Sequence, residues 1–137
     1  DQGQVFAVEK KDDAVALLYE NKQRFAADNL EIIKGEAPEA LKELPVPTHA
    51  FIGGSSGNLK EIVALLLEKN RDVRIVINCI TLETISEALE ILKEYDFADQ
   101  EAVQLTASRS KEIGKYHLMM GENPIYIIIC QSPRARI

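Results

Sequence analysis

Short apolar runs alternate with amphipathic stretches along almost the whole chain. Val5-Phe6-Ala7-Val8 follows the turn residue Gly3 and predicts a buried strand. From about Asp12 to Ala26 the apolar positions Ala14, Leu18 and Phe25 predict a helix, with Asp12 placed to cap it. Leu30–Lys34 is the next strand, followed by a short helical turn in which Pro38 suits the first positions. His49–Ile52 is a third strand, halted by Gly53-Gly54-Ser55-Ser56-Gly57. Asn58 and Glu61 then form a capping-box-like pair ahead of Leu59, Ile62, Val63 and Leu66, which share one helix face. Arg74–Ile80 is a fourth strand whose continuous Ile-Val-Ile run predicts burial on both faces. Leu82, Ile85, Leu89 and Leu92 form the stripe of the next helix.

The ending breaks this rhythm. Val103, Leu105 and Ala107 alternate with Gln104, Thr106 and Ser108, a polar loop runs through Gly114 and His117, and Ile125–Cys130 is apolar again. Alternating strands and helices predict an α/β fold with a mostly parallel sheet. Two final strands without a crossover helix predict one antiparallel strand near the C-terminal edge. No repeat or linker interrupts residues 1–137, so a single domain is expected, with 131–137 as a flexible tail.

Composition narrows the classes. A chain of 137 residues, 46% hydrophobic and 28% charged, fits an ordinary soluble domain, and no stretch approaches the roughly 20 apolar residues that cross a bilayer. The N-terminus lacks the pattern of a secretory signal, so a cytoplasmic protein is expected, and the missing initiator Met hints at a trimmed chain. The net charge of −6, spread along helices, disfavours nucleic-acid binding. The basic pair Arg134 and Arg136 reads as part of a frayed end. Cys79 and Cys130 end strand-like runs without metal-ligand spacing, so no metal is expected and both are predicted to be buried thiols.

Ligands of open α/β sheets bind beyond the C-terminal ends of the strands. Glu9 stands at the first of these ends, where a carboxylate can accept from both hydroxyls of a ribose, or can simply be solvated beside Lys10 and Lys11. Gly35-Glu36-Ala37-Pro38 follows the second strand, as a border for a flat ring or as an ordinary turn. The glycine loop at Gly53 leads into a helix N-terminus, whose N–H groups favour an anion such as a carboxylate. After the fourth strand, Asn78 and Thr81 can hydrogen-bond a substrate, Thr81 being equally suited to cap the helix. In the last loop, Arg109 and Lys111 suit a polycarboxylate or are merely solvated, and His117 is a further substrate-contact candidate.

Taken in order, these strand ends resemble the decarboxylating precorrin methyltransferases of cobalamin biosynthesis. The resemblance rests on VFAVEK at Val5–Lys10, GEAPEAL at Gly35–Leu41 and FIGGSSGNL at Phe51–Leu59. It continues in INCITLETISEAL at Ile77–Leu89, VQLTASRS at Val103–Ser110 and NPIYII at Asn123–Ile128. It implies a class I S-adenosylmethionine methyltransferase fold, Rossmann-like, with strand order 3-2-1-4-5-7-6 in that family's numbering and the last-numbered strand antiparallel. It implies S-adenosylmethionine as cofactor, with Glu9 on the ribose diol, Glu36 and Ala37 bordering the adenine, and Gly53 and Gly54 beside the methionine end. It also implies methylation of a reduced tetrapyrrole at C-15 with loss of carbon dioxide, and fusion or association with a second precorrin methyltransferase domain. No catalytic residue is assigned.

In dinucleotide folds the ribose-binding acid lies roughly 20 residues beyond the glycine loop. Only eight residues precede Glu9, so the resemblance implies that the family's first strand, glycine-rich turn and first helix are not in this sequence. Residues 1–137 alone are therefore expected to be impaired. The strands at Val5–Val8 and His49–Ile52 would then carry unpaired edges, which predicts a homo-oligomer joined through them. The alternative is a non-catalytic α/β module for assembly or corrinoid binding.

Overall fold

The computed structural model describes residues 3–54 and 57–135; Ser55 and Ser56 of the glycine loop and Arg136 of the basic tail lie outside the described residues. The chain divides into two units, Asp1–Val46 and Pro47–Ile137.

In the first unit, β1 (Val5–Glu9) and β2 (Leu30–Lys34) run parallel, Val5 opposite Leu30 and Glu9 opposite Lys34. Parallel neighbours need a long return path, and α1 (Asp12–Arg24) provides it. Asp12 does not cap this helix. Lys11 holds the N-cap with extended backbone and no side-chain capping bond, while Asp12 and Asp13 sit in the first turn, against the positive end of the helix dipole. Of the expected stripe, Ala14 and Leu18 are half-buried, but Phe25 is 71% exposed. The helix ends at Arg24, so Phe25 falls outside its periodicity. A short 3-10 turn, Glu39–Leu41, follows Pro38.

The second unit holds β3 (His49–Ile52), α2 (Leu59–Lys69), β4 (Arg74–Cys79), α3 (Leu82–Tyr95) and β5 (Phe97–Leu105). It continues through β6 (Ser108–Ile113), β7 (Tyr116–Gly121) and β8 (Ile125–Pro133). The main sheet has the order β3-β4-β8-β5, with β3 and β4 parallel and β8 antiparallel to both its neighbours. This is the 4-5-7-6 half of the expected order.

The core follows from alternation and helix period. On β4, Ile75, Ile77 and Cys79 are fully buried while Arg74, Val76 and Asn78, on the other face, are half-buried. Ile128 and Cys130 of β8 stand opposite Ile77 and Ile75 and continue the buried face. Leu59, Ile62, Val63 and Leu66 of α2 are buried, as their spacing predicts, together with Leu67. In α3 the buried residues are Ala88 and Ile91, whereas Leu82 is 79% and Leu89 52% exposed. The stripe of large residues therefore points about one position away from the packed face, which is set by the small Ala88.

Three further expectations are corrected. The strand expected at Val103–Ala107 starts at Phe97, whose ring is fully buried, and ends at Leu105. The expected polar loop is a β-hairpin, β6–β7, paired from Ser108–Gly121 to Ile113–Tyr116. The tail expected from residue 131 is strand as far as Pro133, and the Arg71 guanidinium holds the carbonyls of Pro133 and Ala135.

Burial pushes the Cys79 thiol up, and pushes Cys130 up from its ordinary 9.0 to about 11. An unfolded thiol ionises first, so unfolding releases a proton between these values and stability should fall as pH rises from 9.0 toward about 11. Denaturation midpoints across that window check this, and Cys130→Ala should flatten the slope.

Candidate functional site

The C-terminal ends of β1 and β2 bring the first group of predicted residues together. Glu9 Oε1 accepts from the backbone N–H groups of Lys10 and Lys11 at 3.0 and 3.1 Å, which orients the carboxylate at the start of α1. The Glu9 carbonyl accepts from Gly35 N–H at 3.0 Å, tying the two strand ends together. Gly35 is required by close approach: a Cβ there would meet Ala40 Cβ at 2.9 Å. Glu36 lies next in the chain, exposed, 3.5 Å from Lys10 Nζ, and Ala37 follows it half-buried. Glu9, Glu36 and Ala37 thus form one cluster.

The ends of β3 and β4 form a second. Ile52 is opposite Ile77, so the loop beginning at Gly53 leaves the sheet at the level of Asn78. Gly54 has open space where a Cβ would stand. Asn78 Oδ1 is enclosed and meets no hydrogen-bond donor, the one such side-chain atom among the described residues. Leaving a buried acceptor unpaired costs about 1–3 kcal/mol, which marks the position as one that a ligand can satisfy. Thr81 behaves differently. Its Oγ1 accepts from Thr84 N–H at 3.1 Å and caps α3. Thr81→Ala should therefore lower stability by about 1 kcal/mol. Thermal denaturation checks this, and turnover per folded molecule should change little.

Arg109, Lys111 and His117 sit on the exposed β6–β7 hairpin rather than with Asn78 and Thr81. Arg109 Nε is 3.8 Å from Glu122, and His117 Nε2 is 3.2 Å from Glu112, its cross-strand partner. Sequence reasoning passed over Phe51. Its ring is 71% exposed at the end of β3 and lies against Gly53, 3.2 Å from where a Cβ would be. The available signal was an aromatic residue out of phase with the buried Ile52, immediately before two glycines.

A family profile described as "Precorrin methyltransferase domain" matches residues 1–131. The chain belongs to this family. A relative from Pyrobaculum calidifontis, named "Probable cobalt-precorrin-6B C(15)-methyltransferase (decarboxylating)", is 35% identical over 125 residues, covering 90% of this chain and 64% of its own length. A Salmonella typhimurium relative, "Cobalt-precorrin-6B C(15)-methyltransferase (decarboxylating)", is 33% identical over 130 residues, covering 94% of this chain and 67% of its own. The crystal structure of precorrin-6y C5,15-methyltransferase from Geobacter metallireducens superposes with a TM-score of 0.84 at 32% identity, over 94% of this chain and 68% of that one. The chain thus spans about two thirds of the length of these family members, and 64% for the Pyrobaculum relative. An S-adenosylmethionine-dependent O-methyltransferase from Thermotoga maritima shares the fold alone, with a TM-score of 0.73 at 18% identity over 98% of this chain and 52% of that one. The architecture is that of the class I S-adenosylmethionine methyltransferases, as the strand order implies.

Proposed function

We propose that this chain acts as an S-adenosylmethionine-dependent C-methyltransferase and decarboxylase on a precorrin or cobalt-precorrin in cobalamin biosynthesis. The observation that carries the reading is the match to the Salmonella typhimurium relative, whose name specifies both reactions, across 94% of this chain.

The strand-end geometry is compatible with the cofactor. Glu9 has one carboxylate oxygen held by two backbone N–H groups, and the other is left to accept from a ribose diol. The Gly35–Ala37 backbone would border the adenine through Glu36 and Ala37, and Gly53 and Gly54 would let the chain approach the methionine end. When bound, the cofactor supplies a methyl group on an electrophilic sulfonium.

On the substrate side, Asn78 Oδ1 accepts a hydrogen bond from an N–H of the tetrapyrrole, and Thr81 holds the start of α3 beside it. Arg109, Lys111 and His117 are the proposed contacts for the substrate's carboxylates. The conjugated ring can itself take up the electron pair left by departing carbon dioxide, so no side chain is assigned as a base. The cytoplasm is the compartment this reading assigns; no helix among the described residues is long and apolar enough to cross a membrane. Fusion or association with a second precorrin methyltransferase domain belongs to the same proposal.

The test is to supply the protein with methyl-labelled S-adenosylmethionine and a cobalt-precorrin-6B-type substrate and to locate the label by NMR. Label on the C-15 ring carbon, in a product that has lost one carboxyl group, is expected. Label on another atom, or no transfer, overturns the proposal.

A further inference from the structure

The β6–β7 hairpin has two unpaired edges. Among the described residues each strand pairs only with the other, and every residue of both strands is exposed. A lone two-stranded ribbon is marginal in water and gains stability from a third strand or a covered face. Its register places Arg109, Lys111, Ile113, Tyr116, Leu118 and Met120 on one face.

The two edges are chemically unlike. β6 carries Arg109, Lys111 and Glu112, the kind of charged side chains that keep an exposed edge from pairing. β7 carries no Lys, Arg, Asp or Glu, and exposes Tyr116 at 67%, Met119 at 69% and Leu118 and Met120 at 47% each. An uncharged apolar edge beside a charged one is a surface open to strand addition on one side only.

We propose that β7 docks antiparallel against β7 of a second copy of this chain, forming one continuous four-stranded sheet about a two-fold axis at Leu118. Residues facing each other across such an axis must share a sheet face, so the axis passes at a residue and not between two. Centred on Leu118, Leu118 meets its own copy and Tyr116 meets the second copy's Met120, so the apolar face continues across the junction. Lys115, in the hairpin turn, then lies beside the second copy's Glu122, and symmetry repeats this charge pair at the other end. Centred on Met119, the same strands would set Tyr116 opposite Glu122 and lose that complementarity. An isologous pairing of this kind closes on itself and leaves the charged β6 strands as the outer edges. The inference stands apart from the proposed activity. It also uses a different edge from the strands at Val5–Val8 and His49–Ile52, to which the sequence alone points.

Analytical ultracentrifugation of the protein and three sets of variants tests it. The wild type should sediment as a dimer or a multiple of one at micromolar concentration. Leu118→Lys, which sets like charges directly opposite each other, should raise the dimer Kd at least about tenfold. Lys115→Glu and Glu122→Lys should each weaken association about three- to tenfold, and the two together should restore it. A monomeric wild type, an assembly unmoved by Leu118→Lys, or a double charge variant no better than the single ones overturns the proposal. The charge variants lie outside the paired strands, so they decide the matter even if Leu118→Lys fails to fold.

Discussion

Glu9→Ala is expected to weaken S-adenosylmethionine binding roughly ten- to a hundredfold. The carboxylate would be lost from the ribose hydroxyls, and a charged hydrogen bond to an enclosed diol is worth about 1.5–3 kcal/mol. The same substitution also removes the acceptor for the Lys10 and Lys11 N–H groups at the start of α1, so some stability goes with it. Glu9→Gln separates the two effects: an amide oxygen can still accept from the backbone, while the negative charge is gone. Calorimetric titration beside thermal denataturation of both variants reads them apart. Weak binding by both, with a stability loss only in Glu9→Ala, is the expected pattern. Unchanged affinity in Glu9→Ala would reduce Glu9 to a helix-start acceptor.

Asn78→Leu should move stability and activity in opposite directions. Asn78 Oδ1 is buried without a donor, so an apolar side chain of similar size relieves a cost of about 1–3 kcal/mol and should leave the fold as stable as before or more so. If that oxygen meets a substrate N–H, the same change should lower kcat/KM for the tetrapyrrole about ten- to a hundredfold. Denaturant titration and steady-state kinetics on one preparation give both numbers. A destabilised variant with wild-type kinetics would remove Asn78 from the site. The reasoning rests on a general property of functional positions: a local rule of folding is broken where a ligand is to complete it.

The parts of the fold legible in the sequence are those where one face is buried and large apolar residues mark it. Leu59, Ile62, Val63 and Leu66 announce α2 and are its buried face, and the Ile-Val-Ile run of β4 becomes the sheet interior. α3 misleads because packing there is set by Ala88, which contributes little to a hydrophobic pattern yet permits close approach, while Leu82 and Leu89 remain exposed. The β6–β7 hairpin is hidden for a related reason. Neither of its faces is buried among the described residues, so Ser-Arg-Ser-Lys-Glu reads as a loop although its backbone is paired. The strand-end candidates were legible by position, because ligands of such sheets gather at the C-terminal ends. Their individual states were not. Thr81 spends its hydroxyl on a cap and Asn78 keeps an unpaired oxygen, a difference decided by backbone geometry that neither residue type reveals.

The most direct measurement of the proposed activity is the ratio of methyl groups transferred to carbon dioxide released. Both can be followed in one reaction, with the methyl label on S-adenosylmethionine and a second label on the substrate's acetate carboxyl. One carbon dioxide per methyl group is predicted, with neither event in the absence of the cofactor or the protein. Methyl transfer that leaves the carboxyl in place, or no transfer to any reduced tetrapyrrole, would contradict it.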